Sequence, residues 1–148
     1  MKIRVPIVVG GTAAALGLAG MIVLPAAAGA RAVTHKLKFT SEPQAETQFS
    51  KTNGTTADKD VDNTGKVIGF DMLRFTLNQA TGKASLGLTV DVSGGFLYGT
   101  MSESRSTSSV AHGTVTGGTG KFTGAKGTIT ATTNQAGSKT LVTISYHI

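Results

Sequence analysis

The stretch that decides the fold is Val115–Ile129, VTGGTGKFTGAKGTI. Val and Thr before the glycines, and Thr and Ile after them, are strand formers, while the glycines supply the backbone freedom a chain reversal needs. The segment reads as a strand, a tight glycine turn and a second strand leaving at once. Its glycine spacing also has to be tested as a phosphate loop. A Walker A loop needs a glycine where Val115 stands and a hydroxyl residue where Phe122 stands. The dinucleotide fingerprint needs a third glycine where Thr123 stands, followed by a helix, and no helical periodicity follows. Both nucleotide readings fail, and Phe122 is assigned to a buried place beside the turn.

Downstream of this stretch, Lys126–Thr133 leads out, Asn134–Ser138 turns, and Lys139–His147 forms a last strand. Upstream, strict alternation marks further strands. In Lys66–Leu77, one face carries Val67, Gly69, Asp71, Leu73, Phe75 and Leu77; the other carries Ile68, Phe70, Met72, Arg74 and Thr76. Both faces are largely apolar, so a second layer or a neighbouring subunit is expected to cover the outer one. Ala84–Val92 places Leu86, Leu88, Val90 and Val92 on one face, and Phe96–Met101 is a further short strand. Val33–Thr40 puts His35 on the apolar face with Val33, Leu37 and Phe39, which predicts a buried, hydrogen-bonded histidine. Ser41–Gly65 is polar and turn-rich, with Phe49 marking at most a short strand, and Ser102–Ser109 reads as an exposed loop or edge. Asp58, Asp60 and Asp62 alternate along the polar segment, but the glycine and terminal glutamate of a calcium loop are missing. They are expected in a solvated turn, and no metal site is expected. About eight strands at short turn spacings, with no helix among them, predict an all-β antiparallel sandwich or barrel. Gly69 and Gly87 inside strands favour the barrel.

The first 30 residues differ from the rest. Lys2 and Arg4 precede an apolar run from Val5 to Leu24, Pro25 breaks it, and Ala28-Gly29-Ala30 provides small residues for cleavage. This is the layout of a secretory signal peptide. The expected organisation is therefore a signal peptide over 1–30 and one domain over 31–148, secreted, with no membrane attachment after cleavage. Removing Lys2 and Arg4 lowers the formal net charge of +6 by two. The remaining lysines are scattered among acids, and six Phe, two Tyr and no Trp offer few stacking surfaces, so nucleic acid is not an expected partner. The absence of cysteine excludes thiol catalysis and disulfide support.

No Gly-x-Ser-x-Gly elbow is present, and His35, His112 and His147 lack metal-ligand spacing. What remains is a barrel lumen with a few polar groups. Asp71, a carboxylate on an apolar face, is the candidate catalytic acid or base, with Leu73, Phe75, Tyr98 and His112 as candidate ligand contacts. A lumen filled by side chains, with Asp71 hydrogen-bonded to backbone, is the alternative.

The hairpin Gly117–Gly127, GGTGKFTGAKG, resembles the signature hairpin of allene oxide cyclases and the Gly-Gly-Thr-Gly-x-Phe-x-x-Ala-x-Gly hairpin of dirigent proteins. The likeness extends through Gly65–Leu73, Gly95–Met101 and Leu141–Ile148. It implies an eight-stranded antiparallel β-barrel, a homotrimer, and an apolar cavity for a hydrophobic small molecule. It also implies a cofactor-independent cyclisation or coupling, or else a non-catalytic binding or structural barrel. The functional residues of the family match poorly. Glu42 lies near the place of the cyclase glutamate without its local pattern, and Asp71 falls about where cyclases have a pocket-lining cysteine. Met101 or Ser102 stands where their pocket tyrosine would be, and Thr132, Thr133 and Asn134 replace the aspartate that follows the dirigent hairpin.

Overall fold

The computed structural model describes residues 32–104, 110–134 and 136–148. The segment read as a signal peptide lies outside the described residues, as does the serine-rich run 105–109. The strands are β1 (His35–Ser50), β2 (Asn53–Val61), β3 (Val67–Asn78), β4 (Lys83–Val92), β5 (Gly95–Ser104), β6 (Val110–Gly118), β7 (Lys126–Thr133) and β8 (Thr140–His147). Each is antiparallel to the next, and β8 closes on β1 to make an eight-stranded barrel. Closure removes the open sheet edges that an antiparallel sandwich would keep.

The inward residues follow from the pleat. Leu86, Leu88, Val90 and Val92 of β4, Leu97 and Met101 of β5, and Ile129 and Ala131 of β7 are buried with Phe39, Val142 and Ile144. Alternation thus sorts apolar side chains to the lumen side.

One end of the barrel is sealed by the stretch quoted first. The connection from Thr119 to Ala125 is wider than a tight turn and holds a 3-10 turn at Gly120–Phe122. It is tied onto the β4–β5 turn by Thr119 N–H donating to the Phe96 carbonyl at 2.9 Å and Lys121 N–H donating to the Gly94 carbonyl at 2.9 Å. Gly120 has φ +57°, and a Cβ there would collide with the Gly94 carbonyl oxygen, so both its conformation and its contact require glycine. Phe122 is 1% exposed and meets the Tyr146 ring edge-on at 5.6 Å between centroids.

The polar segment after Ser41 departs from expectation. β1 runs on to Ser50, and Asn53–Val61 is a full strand rather than a solvated turn. From Pro43 to Ser50, β1 pairs only with β2, because its pairing with β8 ends at Ser41 opposite Thr140. Only Asp62 behaves as the turn reading required, accepting from Thr64 N–H (2.8 Å), Thr64 Oγ1 (2.6 Å) and Lys66 N–H (3.0 Å). His35 is exposed and stacks on Tyr146 at 5.3 Å, because it sits at the strand end beyond the core. Ile68 does not face outward as simple alternation demands. Asp60 pairs with Gly69 and Val61 with Val67, so Ile68 is the extra residue of a bulge and packs against the core. Gly69 does mark a close approach, to the Asp91 backbone, whereas Gly87 has open space.

Candidate active site

The site begins with the pleat of β2. Asp58 and Asp60 are two residues apart and so point to the same side, into the barrel, while Lys59 points out. The register places Asp71 of β3 directly opposite Asp58, and Ser41 of β1 directly opposite Asp60. Three carboxyls and a hydroxyl from three neighbouring strands therefore converge. Ser41, Asp60 and Asp71 are 3%, 0% and 5% exposed. Ser41 Oγ donates to Asp58 Oδ2 at 2.9 Å. Among the described residues no other group donates to either oxygen of Asp60 or to Oδ1 of Asp58. A buried carboxylate without donors is strongly disfavoured against its protonated form.

The protonation states follow from this arrangement. Burial, then the neighbouring Asp71 carboxyl, pushes Asp60 up to about 9. Asp71 is also raised by burial and by the nearby Asp58 charge, although its contacts with Asp60 and Ser41 oppose the rise. Asp58 is raised by burial, which the Ser41 hydrogen bond and then the nearby Thr56 hydroxyl oppose. Two ionised carboxylates cannot hydrogen-bond to each other, so Asp60 and Asp71 bond only while one holds a proton. Burial therefore keeps one proton shared between the two carboxyls, the sharing expected of closely spaced acids.

This cluster forms one end of a lumen cavity of about 100 Å³, reached by Ser41, Asp58 and Asp71. The rest of its lining is Leu73, Leu86, Leu88, Met101, Ala111, Ala131 and Val142, with Glu103, Thr133 and Thr140 as the remaining polar members. Thr133 and Thr140 bond to each other through their hydroxyls at 3.1 Å. The volume suits one end of an organic molecule, such as a single ring, rather than a whole drug-sized ligand. Among the described residues no three His, Cys, Asp or Glu side chains are placed to hold a metal ion.

Of the residues singled out from sequence, Asp71 and Leu73 line the cavity. Phe75 points inward but lies off the cavity, its ring against the bare face of Gly54, where a Cβ would come within 2.7 Å of Cζ. Tyr98 and His112 do not face the lumen. Leu97, Met101, Ala111 and Val115 occupy the inward positions of β5 and β6, so the residues between them point out. Tyr98 stacks on Phe96 at 6.5 Å on the outer surface, and His112 is exposed. Sequence reasoning missed Asp58, Asp60, Ser41 and Glu103. The signal was present in the alternation Thr56, Asp58, Asp60, which is a strand period written in polar residues.

No family model matches the sequence, and no curated protein does. Solved structures do resemble it. A pyocyanin demethylase superposes with TM-score 0.56 at 20% identity, over 77% of this chain and 99% of that one. A pterocarpan synthase dirigent protein gives 0.58 at 17% identity, over 78% and 89%. This is the allene oxide cyclase/dirigent-like barrel fold. A Diels–Alderase from Streptomyces koyangensis gives 0.59 at 10% identity, over 82% and 72%.

Proposed function

We propose that this barrel binds a hydrophobic small molecule in its lumen and steers a cyclisation or related rearrangement by supplying a proton from the Asp60–Asp71 pair. One observation carries the reading: Asp60 is fully buried, lacks any donor among the described residues, and sits behind Asp71 at the floor of an apolar cavity. A carboxylic acid held neutral near pH 7 is a general acid. In the step proposed, Asp71 passes the shared proton to a carbonyl or ether oxygen of the ligand. As the C=O π bond or the C–O bond at the activated carbon opens to leave a hydroxyl, an alkene π bond of the ligand supplies the electrons of the new ring bond. The resulting cation loses a proton to the carboxylate, which restores the pair. Nothing is oxidised or reduced, and the proton is returned. The likeness to dirigent proteins and a Diels–Alderase supports ring formation as the reaction class, since shape and positioning supply much of such catalysis.

Native mass spectrometry of the protein from its own host tests the reading, because a ligand held in the lumen is retained. That ligand is then incubated with wild type and with Asp71→Asn. Conversion by wild type and at least a hundredfold slower conversion by the folded variant is expected. Equal rates would reduce the barrel to a binding module, and a cavity that takes no ligand would leave a structural one.

Export and self-association belong to the same proposal. The N-terminal layout supports cleavage near Ala30, tested by the mature mass from the culture medium. Exposed Phe70 and Met72 of β3 and Phe96 and Tyr98 of β5, on either side of β4, support a homotrimer through this face, tested by light scattering of Met72→Glu against wild type.

A further inference from the structure

Every ionisable side chain among the described residues that line the lumen cavity is acidic: Asp58 of β2, Asp71 of β3 and Glu103 of β5. Asp60 lies behind the floor, fully buried. Among the described residues no lysine, arginine or histidine lines the cavity. The nearby cations are on the outer surface, where Lys59 and Lys139 are both held by Glu42, at 3.1 and 2.8 Å. Arg74 and His112 occupy outward positions on β3 and β6.

This one-sided charge decides which molecules can enter. An organic anion would lose its hydration in an apolar channel and meet carboxyl groups, with no cation among the described lining residues to offset the loss. A neutral molecule with a hydrogen-bond acceptor meets an acid that can donate to it. A cationic one meets the Glu103, Asp58 and Asp71 side chains that line the cavity, and each can offer a carboxylate oxygen to it. The width of the cavity, about 100 Å³ in all, restricts the leading end to about one ring. We infer that the lumen selects by charge for ring compounds whose leading end is cationic or neutral, basic amines foremost, and that it rejects carboxylates and phosphates. This deepens the proposed function and rests on the lumen being the ligand site.

The test uses three one-ring probes of nearly equal shape: benzylamine, benzyl alcohol and benzoate. Each is titrated into the ¹⁵N-labelled mature protein at pH 7, following amide shifts of Leu73, Leu88 and Ala131. Benzylamine is expected to bind about tenfold more tightly than benzyl alcohol, and benzoate to leave these amides unmoved. In Glu103→Gln, on β5 and outside the buried cluster, the preference for benzylamine over benzyl alcohol narrows while the alcohol binds as before. Asp58→Asn narrows it further, if that variant keeps the wild-type amide spectrum. Benzoate binding as tightly as benzylamine, or an unchanged preference in Glu103→Gln, overturns the charge selection while leaving the lumen as a ligand site. Failure of all three probes to move lumen amides overturns both.

Discussion

At the sealed end of the barrel Phe122 and Ala125 are 1% and 0% exposed, and the connection that carries them is hydrogen-bonded to the neighbouring turn. At the acidic floor of the cavity Asp60 is also 0% exposed, yet neither of its oxygens accepts a hydrogen bond from a described donor. The two regions are equally buried and opposite in energy. Burial of an aromatic ring removes apolar area from water and stabilises, whereas a buried carboxyl that meets mainly another carboxyl loses hydration with little replacement. The sealed end thus offsets what the floor costs, and the cost sits where a proton is held ready. Such local penalties concentrate at functional sites.

The sharpest way to break this contrast is Phe122→Ala. It should lose about 3–5 kcal/mol of stability in urea unfolding, the range for an aromatic core truncation. Gly120→Ala attacks the same end through the backbone, combining a positive φ with a collision against Gly94. A loss of about 1–3 kcal/mol is expected by the same measurement. Neither should alter the ligand preference of the protein that remains folded.

At the floor the sign reverses. Asp60 holds its proton up to about 9 in the folded chain, against about 3.9 when unfolded. The folded state therefore binds the proton more tightly, so stability is greatest below the unfolded pKa. It falls as pH rises through the interval toward the folded pKa, by at most ~1.4 kcal/mol per pH unit for this group. Asp60→Asn removes that slope and can donate an amide hydrogen to Asp71. It should raise the melting temperature at pH 8, by an amount equivalent to about 1–2 kcal/mol, and flatten the melting profile between pH 4 and 9. A variant less stable than wild type at pH 8 would show that Asp60 is partnered.

The smallest effect is expected at Glu42. Its carboxylate is held below the usual range by hydrogen bonds first from Lys139 and then from Lys59, but the pair is at the surface. Glu42→Gln should leave the melting temperature unchanged within error at physiological salt, since exposed ion pairs are screened.

The apolar alternation of Leu86, Leu88, Val90 and Val92 and the glycines of Val115–Ile129 made the barrel legible, because each names its conformation locally. Asp71 and Leu73 were legible as lumen residues for the same reason. The strand Asn53–Val61 was not, since its inward side chains are Thr56, Asp58 and Asp60, which as a string look like a hydrated turn. Ile68 was misplaced because a bulge changes the count of residues without changing their types. Tyr98 and His112 were misplaced because a chemically attractive side chain does not say which side of its strand it is on; the apolar neighbours at alternate positions do.

Sequence alone therefore determined the class of fold, the strand formers, the chain reversals and the exclusion of thiol chemistry. These depend on periods of two residues and on the conformational limits of glycine, which act within a few residues. Only the tertiary structure decided that Ser41, Asp58, Asp60 and Asp71 share one dry floor. That convergence depends on the register of three paired strands and on closure of the barrel around them. A pKa raised by burial is a property of the surroundings, and no residue carries its surroundings in its own name.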